Sequence, residues 1–322
     1  MEDLLQASAI SSESLNVQLL TPLLMHGWQK TIIDRNGKPQ NRAAWAETRA
    51  LSFKGVLRYW WRAAQCTTDS LLTREIALFG GVKSGSESGR RSPVILRFDY
   101  QQDNSLFAML PHRKESFKTV GLKPGQRLKL TVAVQKKEKH QLGFYISTVK
   151  LALALGGFGQ RARRGHGSFQ LLGKPWEDIA QFKQDVVSLI QQLGQGILLH
   201  RTSAESEKCV LRLGHGETPH PTIRHVWIGR GSSDPENVLR IISNAGHVVM
   251  SKLGSGGRDQ YLLGMARSGR QASPLHGTVR QIGRQFYPVV TEVITQPDEL
   301  LSRQYKEQRD AFLQAMGVRP DE

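Results

Sequence analysis

Residues 156–168 read GGFGQRARRGHGS, which places Arg161, Arg163 and Arg164 among Gly157, Gly159 and Gly165, with Gln160 and His166 between them. A guanidinium is a planar fork of donors matched to phosphate oxygens, and glycine lets a backbone come close to a ligand. The combination therefore predicts a phosphate clamp. Recurrent glycines also suggest a dinucleotide loop, but a Rossmann or P-loop turn needs a strand before it and a helix after it. Here the periodicity predicts a helix before and a strand after. The alternative is a solvated turn in which the glycines serve geometry alone.

A second basic feature lies upstream. Phe53, Val56, Leu57, Trp60, Trp61 and Ala64 fall at the spacing of a helix stripe that faces a core, with Ser52 as the expected N-cap. Lys54, Arg58 and Arg62 then stand four residues apart on another arc, a cationic ridge whose first member is near the helix N-terminus, where anions are favoured. A solvated face is the competing reading for any such charge run. If the first helix packs beside the glycine-rich loop, ridge and loop form one track.

Cleavage of RNA would ask for more than cations: a histidine titrating near neutrality beside the 2′-OH, or an acid near the scissile phosphate. His166, His26 and Asp34 are the candidates. Three neighbouring arginines disfavour a charged His166, and no second histidine or carboxylate lies near it in sequence. The expectation is a binding site with no catalytic residue, no metal and no cofactor, with a metal-independent RNA-processing nuclease as the alternative. Phe158 and Phe169 flank the loop and are expected to anchor its ends in the core, as Trp60 and Trp61 anchor the helix. The expected strands carry no exposed aromatic platform of the kind that stacks bases, so contact should run to the phosphate–sugar backbone.

The elements that must position these residues follow from periodicity. A polar leader (1–14) is expected to fray. Strands are expected at 15–21, 93–100, 127–134 and 168–172, with helices from Ser52, over 71–79 and over 141–155; long loops are expected at 27–50 and 84–92. That order is the βαββαβ split unit, a ferredoxin-like or RRM-like sandwich over 15–172. Gly173-Lys174-Pro175 marks the expected boundary with a second α+β domain (173–322). Its helices are expected at 176–193, 238–250 and 298–316, the last with Asp298 and Glu299 at its positive end. Its strands are expected at 222–229, 275–282 and 288–294.

The 322 residues exceed one typical core, and 44 Lys and Arg against 28 acidic residues give a formal charge of +16, the footprint of a polyanion partner. Cys66 and Cys209 are too few for a four-cysteine zinc site and are expected to be free thiols in a reducing cytoplasm. The N-terminal stretch lacks the basic and apolar regions of a signal peptide, and no apolar run reaches the ~20 residues that span a bilayer.

Four segments in order, SFKGVLRYWWRAA (52–64), EIALFGG (75–81), the arginine loop, and RQASPLHGTV (270–279), resemble the repeat-associated mysterious protein (RAMP) superfamily. Within it the resemblance is closest to subunit one of the Cmr effector complex of type III-B CRISPR systems. The resemblance implies two tandem ferredoxin-like domains and a place at the 3′ side of the CRISPR RNA (crRNA), beside another RAMP subunit. It also implies a role in capturing guide and single-stranded target RNA for antiviral defence, with cutting done by a different subunit.

Overall fold

The structure is a computed structural model. It describes residues 9–27, 29–33, 39–43, 45–66, 70–82, 89–114, 117–194, 199–200, 209–213, 217–252, 261–264 and 272–318.

Strand β1 (Ile10–Leu19) turns Leu15, Val17 and Leu19 inward and leaves Ser14 and Asn16 outside. It starts within the stretch expected to fray, because Ile10 to Ser14 continue the antiparallel ladder with 131–135. The stretch expected as a long loop contains a hairpin, β2 (Gln29–Ile33) and β3 (Pro39–Ala43). Helix α1 (Ala50–Ala63) begins two residues before Ser52. Arg49 occupies its cap position and makes no side-chain cap bond, so the expected serine cap is corrected. Helix α2 (Leu71–Phe79) stops at Gly80, whose φ of 79° suits a residue without Cβ. A small hairpin, β4 (Gly81–Val82) and β5 (Gly89–Arg90), then leads to β6 (Val94–Asp99).

A second hairpin, β7 (Asn104–Ala108) and β8 (Lys118–Leu122), gave no signal in the sequence. It is followed by β9 (Arg127–Gln135), α3 (Leu142–Leu155) and the short β10 (Phe169–Leu171). The first sheet has the order β10-β1-β9-β6, antiparallel throughout. Its inner face is Leu15, Val17, Leu128, Leu130, Val132 and Val94, and its outer face carries Asn16, Lys129, Thr131, Ile95 and Arg97.

Beyond residue 173 come α4 (Ile179–Leu193), β11 (Leu199–His200), β12 (Cys209–Leu213), β13 (Thr222–Ile228), α5 (Pro235–Lys252), β14 (Leu275–Ile282), β15 (Gln285–Ile294) and α6 (Arg303–Gln314). The second sheet has the order β11-β12-β13-β15-β14, again antiparallel. The last helix starts later than its charges predict. Ser302 Oγ accepts from Tyr305 N at 3.2 Å and caps it, while Asp298 lies in a preceding turn of 3-10 helix and pairs with Arg309 at 2.9 Å.

Helices α1 and α3 lie between the two sheets. They pack on β6, β9 and β1 on one side and on β13, β14 and β15 on the other. One apolar cluster accordingly runs from Leu15 and Val132 through Trp60, Leu151 and Phe182 to Ile223 and Val289. A second cluster fills the far side of the second sheet under α5 and α6, with Trp227, Ile242 and Phe312. The hydrophobic core is thus continuous across residue 173. The fold is a mixed α/β one built on antiparallel sheets, and none of its described helices is long and apolar enough to cross a membrane.

Candidate nucleic-acid interface

The ridge on α1 stands where the helical period puts it, but its cations have internal partners. Arg62 Nε donates to Glu75 Oε2 at 2.8 Å, and Arg58 Nε lies 3.3 Å from Glu75 Oε1; that carboxylate is only 5% exposed. Arg58 also donates to the carbonyls of Phe79 (3.1 Å) and Gly80, closing the end of α2. Lys54 Nζ donates to Val94 O at 2.8 Å; burial first, then Arg58 and Arg91, lowers its pKa. The side chains of Arg58 and Arg62 remain 37% and 43% exposed, so the ridge presents part of its charge outward and ties α1 to α2 with the rest.

The arginine loop differs more from its expected form. Gly157 is crowded by Ala162 O and His166 O at 2.7 Å from where a Cβ would sit, and Gly165, with φ 88°, meets Leu239 Cδ1 at 2.9 Å. These glycines let backbone approach other parts of the protein rather than an open ligand site. Arg163 donates to Ser273 O, and its guanidinium carbon lies 5.4 Å from the centre of the Tyr59 ring. Arg164 donates to Leu263 O (2.9 Å) and Ser273 Oγ (3.3 Å) and lies over Phe312. Gly277 N donates to Arg163 O at 3.1 Å, and Tyr59 OH is 2.8 Å from His276 Nε2. Segment 272–279, for which the sequence suggested no chemical role, is therefore the partner of the arginine loop.

Arg161 keeps a different position. Its φ of 56° is unusual for a non-glycine residue, and its Nε has no hydrogen-bond partner although it is buried. Phe158 and Phe169 are 1% exposed and anchor the loop as expected, with Phe158 stacked on Phe53 at 4.1 Å. Arg280, which the sequence did not single out, is fully buried. It donates to Ala154 O at 2.7 Å and to Gly156 O, where the carbonyls at the C-terminus of α3 point; burial lowers its pKa to about 9.

His166 is neutral at pH 7, and the expected effect of a neighbouring arginine is the second cause rather than the first. Burial is the larger cause and Arg161 the second, and together they lower its pKa to about 4. Backbone hydrogen bonds with Ala108 and Arg164 act the other way and raise it. Of the other nuclease candidates, His26 is held by Val120 O at 2.6 Å, and Asp34 lies outside the described residues. His166 lines a cavity of about 930 Å³ between the end of the β7–β8 hairpin and the start of α5. The hairpin contributes His112, Arg113 and Lys114, and α5 contributes Glu236, Arg240 and Asn244.

Residues 49–170 match the RAMP superfamily. The matched span runs from α1 to β10 and holds three of the four motifs, the arginine loop included. No curated protein matches the chain. Among solved structures, the fold is similar to the apo crystal structure of Cmr1 from Pyrococcus furiosus, with 17% identity, a TM-score of 0.58 and 91% of each chain covered. It is also similar to a chain of a type III-B Cmr-beta complex bound to cognate target RNA, with 11% identity, a TM-score of 0.55, and 95% of this chain and 100% of that one covered. The four motifs of this chain interlock in pairs: the EIALFGG segment satisfies the α1 ridge, and the SPLH segment satisfies the arginine loop. His112 and Arg113 were missed by the sequence reading because the hairpin that carries them was missed. Arg280 was missed because an alternating strand gave it no distinguishing spacing.

Proposed function

We propose that this chain is an RNA-binding, non-catalytic subunit of a type III-B CRISPR effector complex. On this reading it works in the cytoplasm, sits at the 3′ side of the crRNA against other Cmr-type RAMP subunits, and helps capture single-stranded target RNA. The observation that carries it is the similarity to Cmr1 across nine-tenths of both chains in a protein of formal charge +16. The strand order of the first sheet suits a ferredoxin-like unit over 15–172, and the segment 173–322 is read as a second such unit docked on the same core. The contact residues proposed are those of the ridge (Lys54, Arg58, Arg62) and the loop (Gly157, Gly159, Gln160, Arg161, Arg163, Arg164, Gly165, His166). In this proposal Arg161 and the outer parts of Arg58 and Arg62 reach the RNA, and Arg163 and Arg164 hold the loop in place. The nuclease alternative is disfavoured by a His166 that is buried and neutral.

The purified chain should bind unstructured RNA of unrelated sequences with similar affinity and leave it intact, with or without divalent metal. Each phosphate contact contributes about 0.7 to the log–log salt slope, so Arg161→Ala should lower the slope's magnitude by about 0.7. Isolation from its native host should bring down crRNA and other Cmr-type proteins. Failure to bind RNA, or RNA cutting that survives repurification, sinks the proposal.

A further inference from the structure

The outer face of the first sheet changes character at one end. Along most of it the side chains are polar, with Asn16, Lys129, Thr131 and Arg97, as suits a sheet face that meets water. At the end where β6 begins, Ile10 and Ile95 are each 47% exposed. The register sets Ile95 beside Ala133, and Ile10 across from Gln135 in the next row, so the two isoleucines flank Ala133 and Gln135 on one face. A cleft of about 360 Å³ opens there, with Pro93, Ile95 and Gln135 in its wall. A lone exposed isoleucine is ordinary, whereas two beside an apolar cleft form a patch.

The rim of the cleft is cationic. Arg90, Arg91 and Lys137 line it and are exposed, and none of the three forms an ion pair among the described residues. The acid in the wall, Glu138, is engaged by the Gln141 amide. Cations in excess around an aliphatic floor match an acidic chain that carries an apolar anchor, because the anchor fills the cleft while its flanking carboxylates meet the rim. An RNA strand is matched less well. No aromatic ring lines the cleft to stack a base, and a phosphate–sugar backbone would leave the isoleucines uncovered.

We propose that this end of the sheet docks an acidic segment of a neighbouring protein subunit, with one apolar side chain of that segment seated on Pro93 and Ile95. The proposal rests on the reading of the chain as one subunit of a larger complex, and deepens it by naming the face that a neighbour covers. The test uses the complex isolated from the native host with p-benzoylphenylalanine in place of Gln135, an exposed position beside the cleft. Irradiation should join this position to another protein subunit, at a peptide rich in Asp and Glu. Attachment to RNA, or to a peptide without an acidic cluster, overturns the proposal. A complex that assembles with crRNA and other subunits yet gives no crosslink also overturns it, and leaves the subunit reading standing. A chain recovered with neither RNA nor other subunits overturns that reading and the docking face with it.

A second measurement is the binding of the purified full chain to the complex isolated without it. Ile95→Asp should weaken this binding about thirtyfold, the scale of one lost interface anchor, while the RNA affinity of the free chain changes by less than about twofold. Arg90→Gln with Lys137→Gln should weaken it as well and lessen its dependence on salt. Unchanged assembly in both variants overturns the docking face, and an equal loss of RNA affinity reassigns the cleft to the RNA track. Should Ile95→Asp fail to fold, the glutamine pair and the crosslink decide.

Discussion

The chemistry of single residues in this protein is dominated by cations that face backbone carbonyls. Lys54, Arg58, Arg163, Arg164 and Arg280 each donate to one or more carbonyl oxygens of another segment. Such a pairing satisfies acceptors that would otherwise be buried unpaired, and Arg58 adds a carboxylate partner in Glu75. Histidines in these surroundings are held neutral. His166 titrates near 4, and His276, fully buried beside Arg163 and Arg164, titrates well below its ordinary value. Both pKa values are depressed in the folded state, so the unfolded chain binds more protons between pH 6.5 and 4. The stability these neutral imidazoles contribute is present above pH 6.5 and is lost as the pH falls below it. For His166 the shift amounts to about 3 kcal/mol by pH 4. A urea midpoint measured at falling pH should drop across this window, and His166→Phe should flatten the drop. A midpoint unchanged between pH 6.5 and 4 in the wild type shows that the imidazoles are hydrated or paired.

Elements with a strong local period were legible in the sequence, and those fixed by distant partners were not. The stripe of α1 is apolar at the helical repeat, and Phe53, Leu57, Trp60 and Trp61 are indeed 2% exposed or less. Strands β6, β9, β14 and β15 alternate or are flanked by turns, and they fall within a few residues of the expected spans. By contrast, the β7–β8 hairpin has short, weakly apolar strands. It is held by pairing across the hairpin and by Leu23, which exchanges hydrogen bonds with Leu122. The cap of α6 was misassigned because Asp298 and Glu299 satisfy the charge rule, whereas the chain is turned by Ser302. For α1 the expected consequence is specific. Trp60→Ala removes a side chain that is 1% exposed and sits against Gly156, so it should cost about 3 to 5 kcal/mol and lower solubility. Normal stability with weakened RNA binding would instead make Trp60 a stacking platform and reverse the face assignment.

At the scale of the whole molecule, the arginine loop acts as a joint between sheets. A phosphate clamp can be inferred from residue types alone, because arginine and glycine in a turn are what such a clamp needs. The sequence does not reveal which acceptor is nearest, since Ser273 and Leu263 are about a hundred residues away. The joint has three parts. Arg163 and Arg164 reach Ser273 and Leu263; Ser168 Oγ accepts from Val279 N at 3.0 Å; Arg280 reaches back to Ala154 and Gly156. With α1 and α3 shared between the two sheets, these contacts make the first sheet and the second depend on one another. Two consequences follow for unfolding. The wild-type chain should unfold in one cooperative step, with calorimetric and van't Hoff enthalpies equal, although its length would allow two domains to melt separately. Arg164→Ala leaves the carbonyl of Leu263 without its donor and should cost about 1 to 3 kcal/mol. Because the lost contact joins the halves, the variant should show a broadened or split transition rather than a simple downward shift. If Arg164→Ala instead keeps the wild-type melting profile and weakens RNA binding with a smaller salt slope, the guanidinium reaches phosphate in solution and the loop is the clamp its composition suggests.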